Sequence, residues 1–351
     1  MKFGKLAITV LLATGTLGVF GQTTPPPPPP MPTPTPEVEI SDEVIKIDTE
    51  LVNVLFSAQD RQHRLLTNLT ASDISIFENG EKQEIVEFMR QVDLPLSLSI
   101  LIDTSSSQER TLPQEKDAAN SFLEKVVRPS KDEVAIITFT GEVTLEQGMT
   151  SNIGRLRRAI DNVRYRPPSG YYGGGVVQGT PPISGSNQAA AGSTAIWDAI
   201  WVTNEEVLGP SPEKTRRAII LLTDGYNTYG LKKLDDAVKS AIRAEAVIYS
   251  IGIGDQFYDG VDKGVLRKLS ESTGGRAFFP RDEMELRAAF KTIEEEMRSQ
   301  YLISYEPINQ TRDGSYRKIN IEFANEDKKN EKVQLTYREG YFAKTSKKKS
   351  D

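Results

Sequence analysis

Residues 96–107 read LSLSILIDTSSS, and this stretch decides the fold. Its first half alternates polar and apolar residues and then becomes continuously apolar, which is typical of a strand buried in a parallel sheet. At Asp103 the sequence changes abruptly to small polar residues. Ligands of open α/β sheets bind beyond the carboxyl ends of the strands, so these polar residues are the first candidates for a functional site.

The residues that follow alternate between predicted helices and predicted strands. Helical spacing of apolar residues covers about 113–127, 152–163, 194–207, 233–244 and 286–297, and apolar strands cover 133–139, 218–222 and 246–251. This alternation predicts an α/β fold, with a doubly wound, mostly parallel sheet that carries helices on both faces.

Composition removes several classes of function. The chain has 351 residues, a net charge of −6, no cysteine and one histidine, His63. Without cysteine there is no disulfide framework, no cysteine zinc site and no thiol nucleophile. His63 stands in a polar stretch far in sequence from every candidate serine, so serine hydrolysis has no evident general base. The acidic balance argues against nucleic-acid binding, which favours basic patches.

Both ends of the chain are predicted to lie outside the folded core. Residues 1–21 combine two lysines with an apolar stretch of about 15 residues, which predicts a signal peptide; an uncleaved anchor is the alternative. Residues 22–37 are a proline-rich linker, either a stiff spacer or a ligand for a proline-recognising partner. Residues 344–351 are a lysine-rich tail of the kind that is usually disordered. No other stretch is long and apolar enough to span a membrane, so we expect an exported protein that is periplasmic, surface-bound or secreted.

Two β-rich flanks enclose the α/β region of residues 94–299. The first, residues 38–93, contains Asn79-Gly80, a favoured two-residue hairpin turn. The second, residues 300–343, contains three segments that alternate as strands do. Neither flank is large enough to fold comfortably alone, and the ends of a domain often lie close together. We therefore expect the flanks to pack as one β-sandwich, with the α/β domain inserted between them.

Three polar segments stand at predicted element ends. Asp103, Ser105 and Ser107 fit the pattern D-x-S-x-S, residues 192–199 read GSTAIWDA, and residues 222–225 read LTDG. In this order and spacing they resemble the metal-binding loops of the von Willebrand factor type A domain, over about residues 94–299. The whole chain is similar to a bacterial group of exported proteins that carry one such domain between β-rich flanks.

The resemblance implies a metal-ion-dependent adhesion site formed by five residues: Asp103, Ser105, Ser107, Thr194 and Asp224. Carboxylates and hydroxyls offer only oxygen, which is what hard cations such as Mg²⁺ prefer. We expect Mg²⁺, with Mn²⁺ or Ca²⁺ as alternatives. Two carboxylates balance a divalent ion, and an open coordination position would accept an acidic residue of a protein partner, as it does in binding domains of this family. Taken singly, each residue could instead cap a helix or stabilise a turn.

A long loop rich in glycine, proline and serine lies between residues 165 and 191 and contains Tyr171 and Tyr172. It ends just before Thr194, so it must approach the predicted metal site. Loops of this length are usually functional or disordered. The two tyrosines are therefore candidates for contact with a partner, with plain disorder as the alternative.

The leading interpretation is an exported, cation-dependent protein-binding module without enzymatic activity. One alternative is an envelope scaffold in which the metal only stiffens loops. Another is a magnesium-dependent phosphohydrolase with Asp103 as its nucleophile. That alternative lacks the usual second aspartate two residues on, because Ser105 stands there, and no catalytic lysine is identifiable.

Overall fold

The protein is described from a computed structural model, which covers residues 51–62, 64–90, 94–165, 171–172, 175–176, 193–212, 215–254, 260–325 and 333–345. The predicted signal peptide 1–21, the linker 22–37 and His63 lie outside these residues. All the described residues belong to one compact unit, Thr49–Asp351. Within this part of the chain, no helix has both the length and the hydrophobicity needed to cross a bilayer.

The strands are numbered in chain order. They are β1 (Val52–Gln59), β2 (Ile74–Glu78), β3 (Glu81–Gln83), β4 (Ile85–Arg90), β5 (Leu96–Asp103), β6 (Glu133–Phe139), β7 (Val143–Thr150), β8 (Tyr171–Tyr172), β9 (Gly175–Val176), β10 (Arg216–Thr223), β11 (Ala246–Gly252), β12 (Ala277–Phe278), β13 (Tyr301–Tyr305), β14 (Tyr316–Phe323), β15 (Gln334–Tyr337) and β16 (Gly340–Phe342). The α-helices are α1 (Leu112–Val126), α2 (Ile153–Asn162), α3 (Ile196–Val202), α4 (Leu234–Arg243), α5 (Lys263–Ser272) and α6 (Glu283–Arg298).

A six-stranded sheet forms the centre of the α/β domain, in the order β12-β11-β10-β5-β6-β7. Its neighbouring strands pair in parallel, except that the edge strand β7 runs antiparallel to β6. Because β5 and β10 are adjacent and parallel, Asp103 and Thr223 end at the same edge of the sheet. The predicted doubly wound, mostly parallel sheet is confirmed.

Helices cover both faces of this sheet, since β5 is buried along its whole length and β10 at all but one residue. Leu98, Ile100 and Ile102 of β5 belong to one buried cluster with residues of α1, α2 and α6. Leu101, which points the other way, belongs to a second cluster with residues of α3, α4 and α5. The alternation of side chains along a strand thus assigns three helices to each face.

Strands from both flanks of the chain form two further sheets that share one apolar core. One sheet has the order β15-β1-β13-β4 and the other β16-β14-β2-β3. In the first, β1 lies between two strands from the second flank, with Val54 opposite Ile303 and Ala58 opposite Leu335. The buried residues of the two sheets form a single cluster. The N-terminal and C-terminal flanks therefore complete each other in a sandwich.

Charged side chains join the sandwich to the α/β domain. Glu296 at the end of α6 accepts a hydrogen bond from Gln59 of β1 at 2.7 Å and pairs with Arg276 at 2.8 Å. Arg338 pairs with Glu245 at 3.2 Å and donates to the carbonyl of Asn53 at 2.7 Å. The sandwich is therefore attached through both of its constituent flanks.

Several boundaries depart from the sequence expectation. The helix expected over 194–207 is α3 followed by a π-helical turn, Thr203–Leu208. Strands β7 and β16 were not expected, since neither shows a long apolar alternation. The hairpin turn at Asn79-Gly80 is confirmed, with φ of 50° and 88°, the left-handed values that a two-residue hairpin turn needs.

The sandwich core offers a test of this architecture. Phe56 of β1 is fully buried, and its ring centroid lies 5.1 Å from that of Tyr301 in the other flank. Phe56→Ala should lower the free energy of unfolding by about 3–5 kcal/mol, measured by urea denaturation, because it leaves a cavity between the flanks. Leu231→Ala is the control, since Leu231 is 92% exposed and its loss should change stability by less than about 0.5 kcal/mol. A similarly small effect of Phe56→Ala would contradict the shared core.

Candidate functional site

Asp103 stands at the carboxyl end of β5 and is completely buried. Its Oδ1 accepts a hydrogen bond from the backbone N–H of Ser105 at 2.9 Å. Its Oδ2 accepts one from the hydroxyl of Thr223 at 2.7 Å. The carboxylate therefore fastens the end of β10 to the start of the loop that follows β5.

Asp224 follows Thr223 and brings the second carboxylate to the same edge. Its Oδ1 accepts from the N–H of Tyr226 at 3.0 Å, and the hydroxyl of Ser107 also hydrogen-bonds to its side chain. The hydroxyl oxygens of Ser105 and Ser107 are 3.2 Å apart. Four of the five predicted ligands, Asp103, Ser105, Ser107 and Asp224, thus form one connected group.

Thr194 lies in the loop before α3 and is buried, with 5% of its surface exposed. Its N–H donates to the hydroxyl of Thr228 at 2.9 Å, and its carbonyl accepts from the N–H groups of Thr228 and Tyr229. The next residue, Ala195, donates to the carbonyl of Thr140, just beyond β6, at 2.7 Å. These bonds hold Thr194 at the same edge of the sheet, although the described contacts do not join its hydroxyl to the other four residues.

The two candidate partner-binding tyrosines form strand β8, which pairs antiparallel with β9. Tyr171 lies opposite Val176, and Tyr172 lies opposite Gly175. Their contribution to partner binding stays a prediction.

The surroundings of the two carboxyl groups disfavour their charged forms. Burial, together with the charge of Asp224, raises the pKa of Asp103 to about 7. Burial also raises the pKa of Asp224 above its ordinary value, against the opposing effect of its hydrogen bond with Ser107. A bound cation would supply the positive charge that these two groups lack.

Two buried residues near this group were missed by the sequence reasoning. Gln108 donates from Nε2 to the carbonyl of Ile253 at 3.1 Å and lies 3.4 Å from the Ser107 hydroxyl, so it ties the serine loop to the end of β11. Glu115 stands in the first turns of α1 and is 0% exposed. The sequence did hold a signal, because Glu115 falls at helical spacing within the apolar stripe Leu112, Ala119, Phe122.

The donor set fits a hard divalent cation. Asp103, Ser105, Ser107 and Asp224 offer carboxylate and hydroxyl oxygen only, and Thr194 could add a third hydroxyl from its neighbouring loop. Among the described residues, no group of three or more aspartate, glutamate or histidine side chains could hold one metal ion. A site here would therefore rely on two carboxylates supplemented by hydroxyls and water.

Comparison with protein families agrees with this geometry. Residues 98–227 match one family model described as the von Willebrand factor type A domain, and residues 183–292 match a second with the same description. Together these ranges contain all the strands of the central sheet, apart from the first two residues of β5. The chain therefore carries a von Willebrand factor type A domain. No curated protein sequence matches it significantly.

Solved structures give weaker likenesses. Proximal thread matrix protein 1 from the mussel byssus is 19% identical with a TM-score of 0.47, over 63% of this chain and 51% of that one. The same mussel protein "with zinc occupied MIDAS motif" is 22% identical with a TM-score of 0.46, over 62% and 49%. A von Willebrand factor type A protein from Catenulispora acidiphila is 13% identical with a TM-score of 0.46, over 80% and 76%. This chain spans about half the length of the mussel proteins, and likeness at this level carries no information on what it binds.

The raised pKa values predict how stability depends on pH without added metal. Burial raises the pKa of Glu115 to about 8 and that of Asp103 to about 7, against ordinary values of 4.5 and 3.8. Above the ordinary values the unfolded chain releases these protons while the folded protein holds them, so stability falls as pH rises toward the folded pKa values. In the presence of a chelator, the unfolding temperature should decrease from about pH 5 to about pH 8. Asp103→Asn should flatten this slope, and an equal slope in that variant would contradict the raised pKa of Asp103.

Proposed function

We propose that this protein is an exported, cation-dependent protein-binding module. Its ligands for the ion would be Asp103, Ser105, Ser107, Thr194 and Asp224, and Mg²⁺ is the expected cation, with Mn²⁺ and Ca²⁺ as alternatives. The single observation that carries the proposal is the burial of two carboxylates, Asp103 and Asp224, in one hydroxyl-lined group at the end of the central sheet.

The cost of that burial supports a cation. Two carboxylates of like charge inside a protein are unfavourable unless a positive charge compensates them. The charge that acts on Asp103 is the negative charge of Asp224, which raises the pKa of Asp103 further. Bound Mg²⁺ would supply the missing charge and would present an open position to an oxygen ligand.

A protein partner is the occupant that this position would suit. A carboxylate from an acidic residue is a hard oxygen donor, and it would complete the coordination of a divalent ion that the chain surrounds on one side. The module would then bind only when the ion is present. Export is supported by residues 1–21, which have the composition of a signal peptide.

We propose a binding role rather than catalysis because the carboxylates and hydroxyls of the site are engaged with one another. Asp103 has both oxygens engaged, by Ser105 and Thr223. Ser105 has Ser107 as its hydroxyl partner, and Ser107 in turn hydrogen-bonds to the side chain of Asp224.

Thermal unfolding of the full chain with Mg²⁺, Mn²⁺ or Ca²⁺ tests the cation site. A cation at 100 times its dissociation constant should add about 2.7 kcal/mol of stability. Asp103→Asn should abolish this gain while the metal-free variant stays folded by circular dichroism, because the substitution keeps the size of the side chain. The absence of any cation effect on the wild-type protein would reject the cation-dependent function.

Selection from a displayed peptide library, in Mg²⁺ and then with chelator, tests the acidic partner. Peptides retained in Mg²⁺ and released by chelator should be enriched in Asp and Glu. Thr194→Ala should weaken their binding by removing a hydroxyl, whereas Thr194→Ser keeps the hydroxyl and serves as the matched control. Retention that chelator does not change would favour the scaffold interpretation instead.

A further inference from the structure

Glu115 carries a buried carboxylate that the surrounding protein does not compensate. It is 0% exposed, and neither of its side-chain oxygens has a hydrogen-bond partner of good geometry within the described residues. The hydroxyl of Thr111 is close enough to lower the pKa of Glu115. It donates its hydrogen bond to Oε1 of Gln108, however, at 2.9 Å. An isolated buried carboxylate is among the most costly groups a protein interior can hold.

The charges acting on Glu115 make this cost larger. After burial itself, the groups that raise its pKa are Asp103 and Asp224, which are both negative. Helix α1 otherwise turns apolar residues toward the same core, including Leu112, Ala119 and Phe122. An apolar residue in place of Glu115 would suit this packing better. The carboxylate therefore has no evident purpose in the metal-free fold.

A cation bound between Asp103 and Asp224 would change both the charge around Glu115 and its lack of hydrogen-bond partners. Its positive charge would replace net repulsion by attraction, and the water molecules that Mg²⁺ keeps would bring hydrogen-bond donors. Direct coordination by Glu115 is not the arrangement, because no three acidic side chains among the described residues lie close enough to hold one ion. A carboxylate one layer away from the ion commonly orients a ligand or a bound water.

We propose that Glu115 is a positioning residue of the cation site, which holds the ion from the core side through bound water. This inference rests on the proposed function, since it requires that a cation occupies the site. It adds a third acidic group that lies outside the three loops defining the motif. The Glu115 carboxylate lowers the stability of the metal-free protein but contributes to the affinity for the ion.

Binding of Mg²⁺ alone to the full chain, measured by calorimetry and by thermal unfolding at one pH, tests this inference. Glu115→Gln keeps the shape of the side chain and removes its charge. We expect its affinity for Mg²⁺ to fall about 10- to 100-fold, as for other groups that support a metal site indirectly. Its unfolding temperature in chelator should equal or exceed that of the wild type, because folding no longer has to protonate this carboxyl or bury its charge.

Glu296→Gln is the matched control. Glu296 is also a buried glutamate, at 2% exposure, but it lies on α6 and pairs with Arg276 and Gln59. It should lose stability in chelator and in Mg²⁺ alike, with unchanged affinity for the ion. If Glu115→Gln is too unstable to titrate, Glu115→Leu replaces it with a side chain that the apolar stripe accommodates, and the same loss of affinity is expected.

The outcomes separate this inference from the proposed function. Mg²⁺ binding by the wild type with an equal affinity in Glu115→Gln overturns the role of Glu115 and leaves the cation site standing. A parallel loss of stability with and without Mg²⁺ would also overturn it, since that result describes a structural residue. No Mg²⁺ binding by the wild type would reject both proposals together.

Discussion

Strand β5 is buried along its whole length, and the rest of the structure follows from the need to satisfy its polar end. All eight of its residues are buried, from Leu96 to Asp103. An apolar strand is stabilised by this burial, but a carboxylate at its end is not. At this edge, backbone N–H groups and hydroxyls donate hydrogen bonds to the acidic side chains. The candidate site is thus a direct result of placing an aspartate at the end of the central strand.

The edge of the sheet carries more negative charge than the protein itself compensates. Three buried acidic groups lie there: the charge of Asp224 raises the pKa of Asp103, and the charges of both aspartates raise that of Glu115. If all three were charged, a divalent ion would leave one net negative charge.

The sequence was most informative where neighbouring residues determine the structure. The apolar runs of β5, β6, β10 and β11 and the helical spacing between them sufficed to predict the α/β fold. The three polar segments identified four residues that the structure brings together. These four residues come together because their segments follow β5 and β10, and adjacent parallel strands end at a common edge.

The remaining features depend on contacts between distant parts of the chain. The burial of Glu115 is indicated by its place in the apolar stripe of α1, but its acidic neighbours Asp103 and Asp224 come from distant segments and are known only from the structure. Strand β7 has a mixed sequence, VTLEQGMT, and forms because β6 offers it an edge. The register of β1 with β13 and β15 similarly depends on side chains from the other flank, so no local pattern could have specified it.

The division of the sandwich between the two flanks has a consequence for the order in which the chain folds during synthesis. The strands of the α/β domain are all contained in residues 96–278, whereas β1 needs β15, which is synthesised after all of them. Closing so long a loop adds little to the final free energy because the entropy cost grows only with the logarithm of its length. Until then, however, residues 56–59 of β1 have an unpaired edge, which favours association with other chains. A chain cut short before residue 334 would retain the α/β elements but lack this neighbour, so aggregation is the expected fate of incomplete chains.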